Sequence, residues 1–494
     1  MLAAKKTHKG DCMMESIVND YSVSFKDLEK KIYSFVCLFG RAITRQLLEE
    51  RDEELFKSRN KSEYRDKGTR RTSIKTIYGE VEYSRHVYRT TLEDGSGACI
   101  FLLDREMQMD KIGLISSNLA EKIAMTVTES PYRVAAETIS ETCGQTISAQ
   151  GAWNLMQRLG EKISEEEKLE VSRMNADEST GTEVISVLFE EMDGIWLHMQ
   201  DEHHKHMKKQ EMKVFTMYEG WDAEKEKAGR STLVGKSMLA GMEGSREFHE
   251  KIEAHIRKHY DADEIQKRVL NGDGGSWIND PYDPDVIFQL DRYHIQQEIL
   301  RKIRDKKAQA TIREYLEENK PDEMLEYIKI YADSVASNDE KDKASGNAMK
   351  LYEYLSNNRE RLVPYQERGI RIPEPPKGVL YKNMGIQENQ NCTTITMRMK
   401  HRRMRWSTKG ANNLAKALYR KENRELVETI DRYTDGLVFS VRMQEVVREV
   451  LSAAKAPKKD GKGNPYAELL DHHMPLMDAM RTASRREFLH AILK

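Results

Sequence analysis

The tightest constraint on the fold of this chain lies between Val269 and His294. Two short apolar runs, Val269-Leu270 and Val286-Ile287-Phe288, each lead to an acidic residue: Asp273, set between Gly272 and Gly274, and Asp291, directly after Leu290. Apolar runs this short, bounded by turn residues, read as buried strands. The glycines allow a tight turn and close backbone approach, which leaves Asp273 exposed at a strand end. Apolar residues at helical spacing follow (Ile295, Ile299, Leu300, Ile303), so His294 falls on the first turn of a helix. Two strand ends thus deliver carboxylates, and the second also brings a histidine. Open α/β sheets place their chemistry at strand ends. An acidic pocket able to hold metal ions is the expectation, and the rest of the chain must supply its missing ligands.

With 494 residues the chain can form several domains with sizeable cores. A net charge of −2 excludes a uniformly basic coat, so any nucleic-acid surface has to be a local patch. The five cysteines (Cys12, Cys37, Cys99, Cys143, Cys392) lack CxxC spacing and read as reduced thiols. No apolar run reaches the roughly 18 residues of a membrane span, and Met1 to Gly10 has no apolar signal core. The expected location is cytoplasmic and nucleoid-associated, without a membrane partner.

From Ser24 to about Lys57, Leu28, Ile32, Phe35, Phe39, Ile43 and Leu47 mark an amphipathic helix, packed on its own domain or forming a dimer seam. Lys57 to Lys75 is basic, and includes Arg70 and Arg71. A hairpin follows, turning at Tyr78-Gly79 and alternating through Val81, Tyr83 and Val87, with Arg85 and Arg89 extending the basic character. Such a run is either a solvated face or a phosphate contact. A helix begins at Pro131-Tyr132-Arg133 and ends near Cys143-Gly144. After a short link, Ser148 caps the next helix. Two helices joined this way match a helix-turn-helix, whose Ser148, Gln150, Asn154, Gln157 and Arg158 would face a major groove. They equally match an ordinary helical hairpin. Lys162 to Asp177 is polar and reads as a linker.

Strands are expected at Val184–Phe189 and Ile195–Leu197, with Asp193 at the hairpin crossover between them, then at Lys213–Tyr218 and Thr232–Ala240. The helix Ser245–His259 leads into the strand before Asp273. Strand-strand-strand-helix-strand-strand-helix is the order of an RNase H-like fold, an α/β class. The cluster His203-His204-Lys205-His206, flanked by charges, reads as a solvated loop. Residues 297 to 375 look like an α-helical insertion. Then come Gly385-Ile386-Gln387-Glu388-Asn389, a basic run (Arg398, Lys400, His401, Arg402, Arg403, Arg405), Trp406 and further helices, with a Lys/Gly-rich linker at 455–462 and a final helix from Ala467. The expected division is 1–112, an N-terminal helix with the basic hairpin; 113–177, the helix-turn-helix region and linker; 178–296, the first part of the core; 297–375, the insertion; 376–425, the last part of the core; and 426–494, C-terminal helices.

Asp193, Asp273 and Glu388 stand out together. Hard Mg²⁺ prefers carboxylate oxygens, and two such ions about 4 Å apart can activate an attacking water or 3′-hydroxyl and stabilise the departing oxygen. Each residue alone is ordinary, since a lone Asp-Gly is usually a turn. Glu367 and Glu374 compete with Glu388 for the third place. Asp291 and His294, spaced i, i+3, share a helix face and either cap the helix or assist near the metals. Trp277 could stack on flipped bases or end nucleotides as an auxiliary site residue, with core packing the favoured reading. Trp406 could pack in the core or stack on end nucleotides, and Arg398 to Arg405 would bind phosphates.

The chain resembles the bacterial insertion-sequence transposases of the DDE class, related to the Mutator-like group, and among them a family long filed as uncharacterised. The resemblance rests on the basic hairpin and helix-turn-helix, Met192-Asp193-Gly194, Asn271-Gly272-Asp273-Gly274 with Trp277-Ile278, and Leu290-Asp291-x-x-His294. It extends to Glu388 upstream of Arg403-Met404-Arg405-Trp406-Ser407 and Lys409-Gly410. It implies a catalytic triad of Asp193, Asp273 and Glu388 holding two Mg²⁺ (or Mn²⁺) ions, with Asp291 and His294 as the D-x-x-H motif of Mutator-like enzymes. It further implies double-stranded DNA partners (terminal inverted repeats and target) and assembly of at least a dimer. A structure-selective nuclease of the same fold and a catalytically dead DNA-binding descendant stay open as alternatives.

Overall fold

The computed structural model describes residues 24–434, apart from 93–94, 109–112, 179, 202, 204, 279–285 and 337–341, and no side chain at 342 or 402. The expected 455–462 linker and the helix from Ala467 lie outside the described residues. The chain is mixed α/β and divides into two compact units, residues up to Arg158 with those from Val427 on, and Leu159–Leu426.

In the first unit, α1 (Phe25–Ser58) starts where the Ser24 hydroxyl accepts from the Asp27 amide, a cap that satisfies one orphan donor. Its later turns pack through Leu48 against Ile74, Val81, Tyr83 and Leu103. Its first turns leave Phe25, Leu28, Ile32 and Val36 exposed. The hairpin forms as expected, β1 (Arg65–Thr76) antiparallel to β2 (Gly79–Thr91), and β3 (Gly97–Ile100) pairs on β2. The two-residue turn closes at Gly79, whose φ of 122° only glycine tolerates easily. The basic run is therefore largely strand, with Arg65, Lys67, Arg70 and Arg71 exposed along β1. Arg85 is not part of that surface: it is buried, 2.6 Å from Asp104, with its guanidinium 3.8 Å over the Phe101 ring.

After α2 (Leu102–Glu106) and α3 (Ser117–Glu129) come α4 (Tyr132–Thr142) and α5 (Ala149–Asn175). The Ser148 hydroxyl accepts from the Gly151 amide, as a cap should. The link's Gly144 donates to Ile77 O, and a Cβ there would sit 2.5 Å from Tyr78 O, so only glycine lets the link close on the hairpin turn.

The expected linker at 162–177 is instead the continuation of α5 as far as Asn175. It looked like a linker because its polar residues find partners in the fold. Glu167, 3% exposed, sits 3.1 Å from Lys251 and 3.0 Å from Lys416, and Glu243 closes this buried ring of charges at 2.5 and 2.9 Å from the same two lysines.

The second unit is built on a five-stranded sheet among the described residues: β4 (Val187–Gln200), β5 (His206–Tyr218), β8 (Ser237–Gly241), β9 (Lys267–Gly272) and β10 (Ile287–Leu290), with the small strands β6 (Gly220–Asp222) and β7 (Leu233–Val234) lying between β5 and β8 in sequence. The spatial order is β10-β9-β4-β5-β8. The first three strands in sequence (β4, β5, β8) pair antiparallel, and β9 and β10 run parallel to β4. Helix α6 (Ser245–His259) crosses from β8 to β9. The expected hairpin at Glu190–Gly194 does not exist: β4 runs straight through it. The charges that suggested a turn are neutralised inside the sheet, Glu190 by a bidentate contact with Arg268 of β9, and Glu191 by hydrogen bonds described below. β8 is an edge strand, and its free backbone is capped by side chains: Asn423 accepts from Met238 N and donates to Met238 O.

The expected insertion is helical. α7 (Arg292–Lys302), α8 (Lys306–Glu317), α9 (Pro321–Ser334) and α10 (Asp342–Asn357) share one apolar core of Ile295, Ile299, Ile312, Ile328, Leu351 and neighbours. The chain returns through β11 (Val379–Leu380), then a helix that starts as Gln387–Gln390, passes through a π-helical turn at Asn391–Thr396 and ends as Met397–Met399, and finally α11 (Thr408–Glu422). No helix among the described residues is long and apolar enough to cross a membrane.

Candidate metal centre

The strand register builds the site. Met192 pairs with Gly272, and Gly272 with Leu290, across three parallel strands. The next residue in each strand is Asp193, Asp273 and Asp291, so three carboxylates stand in one row at the same level of the sheet. Side chains two residues apart in a strand share a face. Glu191 therefore lies directly below Asp193, and its register partners are Asn271 and, one strand further, Gln289. These polar groups form a ladder: Gln289 Nε2 donates to Asn271 Oδ1 at 3.1 Å, and Asn271 Nδ2 donates to Glu191 Oε2 at 3.1 Å and to Asp291 Oδ1 at 3.3 Å.

From this row the fold brings together Asp193, Asp273 and His294, whose ligand atoms all lie within 4.8 Å of one another. Asp193 is 6% exposed, and its carboxylate accepts from its neighbour Gly194 N (2.7 Å) and from Asn391 Nδ2 (2.5 Å). Asp273 Oδ1 accepts from Gly275 N at 2.7 Å, and its backbone carbonyl is held by the Tyr354 hydroxyl at 2.8 Å. Asp291 caps α7 through Tyr293 N and accepts from His294 Nδ1 at 2.7 Å, which turns Nε2 towards Asp193 Oδ1, 3.7 Å away. Asp291 thus caps the helix and, through the same carboxylate, orients His294.

The charges are strongly coupled. Burial pushes the Asp193 carboxyl up to about 6; His294 and the Gly194 amide oppose this, and the charges of Asp273 and Glu388 add to it. Burial works against a charged His294, but its hydrogen bond to Asp291 and the charges of Asp193 and Asp291 carry it up to about 9. Asp291 would also be raised by burial, yet His294 and Asn271 hold it below the usual carboxylate range.

Glu388 is not in the close cluster. It is exposed on the helix that begins at Gln387, three residues before Asn391, whose amide reaches Asp193. Residues three apart share a helix face, and the charge of Glu388 is felt at both Asp193 and Tyr293. Its rival Glu367 accepts from Asn319 instead.

Three supporting residues were not legible in the sequence: Asn391, Tyr354 and Glu191. Glu191 is fully buried. Its Oε1 accepts from Tyr218 Oη (2.7 Å), Gly385 N (2.9 Å) and Ile386 N (3.1 Å), and its Oε2 from Gln387 N (3.1 Å) and Asn271. It is the N-terminal cap of the helix that carries Glu388, contributed by a distant strand. The Glu-Glu pair at 190–191 was the available signal, since two acids flanked by apolar residues in a strand demand partners.

The remaining candidates separate by burial. Trp277 is core, edge-on to Phe248 and His249. Trp406 is also interior, with Nε1 donating to Met399 O at 2.8 Å, and Arg398 is buried 5.5 Å over its ring, so neither presents a surface to bases or phosphates. Lys400, Arg403 and Arg405 are exposed, and the Arg402 side chain lies outside the description. In the first unit Arg70, Arg71, Ser148, Gln150, Asn154 and Arg158 are exposed, with Gln150 donating to Asn154 at 2.9 Å, whereas Gln157 is buried. Cys37, Cys99, Cys143 and Cys392 are free.

A model of the uncharacterised protein family UPF0236 matches residues 18–431. The chain is 24% identical over 407 residues to the UPF0236 protein in vanSb 3′region of Streptococcus gallolyticus, covering 80% of this chain and 82% of that protein. It is 25% identical over 355 residues to a UPF0236 protein of Caldanaerobacter subterraneus subsp. tengcongensis whose name joins eleven locus designations, covering 70% and 69%. With the match spanning most of its length, the chain belongs to the UPF0236 family.

Proposed function

We infer that this protein is a DNA transposase: it binds the terminal inverted repeats of a mobile element, cuts at the element end and joins the freed 3′-hydroxyl to target DNA. One observation carries the reading, namely the row of Asp193, Asp273 and Asp291 at parallel strand ends that yields the cluster of Asp193, Asp273 and His294. The strand order, with an antiparallel first three and a parallel last two, supports an RNase H-like core interrupted by a helical insertion. The exposed polar face of α5 after its short link supports a helix-turn-helix. A relative whose one name covers eleven loci of a single genome fits a gene that copies itself about.

The donor set fits a hard divalent ion, Mg²⁺ or Mn²⁺: two carboxylate oxygens and one imidazole nitrogen within 4.8 Å. Bound there, such ions would activate the attacking oxygen and neutralise charge on the departing one. Asp193, Asp273 and Glu388 are the carboxylates that would hold such ions. Asp291 accepts from His294 Nδ1 and so turns Nε2 towards the cluster, where its lone pair, once deprotonated, would be the imidazole donor of the set. Glu191 and Asn391 fix the helix that aims Glu388. Exposed Arg70, Arg71, Lys400, Arg403 and Arg405 supply phosphate contacts, and assembly as at least a dimer is what the resemblance to DDE transposases implies.

The test is a cleavage and strand-transfer assay on labelled element-end duplex with Mg²⁺ or Mn²⁺. Joined products establish a transposase. Cutting without joining identifies a nuclease instead, and binding without reaction identifies a DNA-binding protein.

A further inference from the structure

The helical insertion carries a second charged feature that the acidic cluster does not use. Lys302 ends α7, Arg304 follows it, and Lys343 and Lys350 lie on α10. Together with Asn347 and Gly346 they line a pocket of about 390 Å³. No acidic residue lines it, and none of the four cations pairs with a carboxylate among the described residues. Elsewhere in the insertion several exposed cations are paired, as in Arg301–Glu298, Arg359–Asp322 and Lys320–Glu318. Four cations converging with no counter-charge among the described residues repel one another, and a bound anion relieves the arrangement. Gly346 opens the wall, because a Cβ there meets nothing within 4 Å.

Both walls are tied to the acidic cluster. α7 starts at the His294 turn and reaches Lys302 eight residues later, about 12 Å at 1.5 Å per residue. α10 runs from Lys343 to Tyr354, about 16 Å on the same rise, and Tyr354 donates to the Asp273 carbonyl. The pocket therefore stands at a fixed distance from the cluster, roughly three and a half to five base pairs at 3.4 Å per nucleotide of one strand.

We propose that this pocket binds the phosphodiester backbone of duplex DNA a few base pairs from the cleaved bond, and so sets where along the duplex the acidic cluster engages. The assignment rests on the DNA-processing reading above. The four cations make the contact by charge and carry no base sequence information.

The experiment measures binding of fluorescent element-end duplex by the full chain across a series of KCl concentrations, comparing wild type with Lys302→Gln/Arg304→Gln/Lys343→Gln/Lys350→Gln. Lys225→Gln/Lys227→Gln, which removes cations already paired with Asp222 and Glu224, is the control. Each phosphate contact contributes close to one unit to the slope of log K against log salt, so the quadruple variant should be shallower by about 3 to 4, with the control unchanged. Thermal unfolding of the variant should match wild type, because the four side chains hold no partner among the described residues. Cleavage should fall at low DNA concentration and recover at saturating DNA. An unchanged slope overturns the proposal even if the wild type cuts and joins DNA. A shallower slope in a protein that never cuts upholds it and removes the transposase reading. Loss of pyrophosphate binding by the variant with DNA binding intact assigns the pocket to a free anion and overturns the duplex.

Discussion

Glu191→Gln tests how the site is held together. The native carboxylate receives five donors from Tyr218, Gly385, Ile386, Gln387 and Asn271, all in a fully buried setting. A glutamine keeps one oxygen, which can serve the three donors on the Oε1 side. Its amide nitrogen then faces two groups that also donate, Gln387 N–H and the Asn271 amide. Two buried donors lose their acceptor at about 1–3 kcal/mol each. Burial pushes the Glu191 carboxyl up, so removing its charge returns part of that loss. The net expectation is a destabilisation of about 1–3 kcal/mol for glutamine, and about 4 kcal/mol or more for alanine, which abandons all five donors. Urea unfolding of the full chain measures the magnitude, and hydrogen exchange measures the location: amides at 385–387 should lose protection while those of β5 keep it. Cleavage should fall along with it, because the freed helix no longer aims Glu388. A glutamine variant as stable as wild type, with exchange at 385–387 unchanged, refutes the capping argument.

Asp193→Asn should abolish cleavage yet melt no lower than wild type. An acid raised from 3.8 to about 6 by burial is a penalty on the fold above pH 6 that vanishes below pH 4, and a neutral amide lacks it. His294→Ala should weaken Mn²⁺ binding about 10- to 100-fold by calorimetry, the scale seen when a metal site loses a ligand or its supporting partner. Burial alone would raise Glu243, but Lys416 and Lys251 hold it down at about 2. Its contribution, on the order of 2–3 kcal/mol, is therefore complete above pH 4.5 and lost as pH falls towards 2, so the melting temperature of Glu243→Gln should be flatter across that window. Gly160→Ala should cost about 2 kcal/mol or more in urea unfolding, because its Cβ would stand 2.5 Å from the Asn413 Cα.

What the sequence revealed followed from periodicity and from residues whose chemistry is local. The hairpin at Tyr78-Gly79, the capped helix after Ser148 and the strand-end position of Asp273 were all readable, because turn and cap residues act within a few positions. The errors came from charges satisfied at long range. Glu190 and Glu191 looked like a turn because Arg268, Tyr218 and the 385–387 amides are far away in sequence. Glu167 made half of α5 look like a linker because Lys251 and Lys416 lie far along the chain. Arg398 and Trp406 looked like a DNA contact because neighbouring cations suggested a surface, while the fold turns these two inward. The row of Asp193, Asp273 and Asp291 needed the strand register, which no single segment contains.

The most direct measurement is single-turnover cleavage of element-end duplex by Asp193→Asn, Asp273→Asn and Glu388→Gln, each with its DNA affinity measured alongside. Removal of a group that acts on the reacting phosphate should lower the rate by at least about a thousandfold. The account predicts that loss for both aspartates and a large loss for Glu388, with DNA affinity within a fewfold of wild type. Full cleavage by either aspartate variant would contradict it.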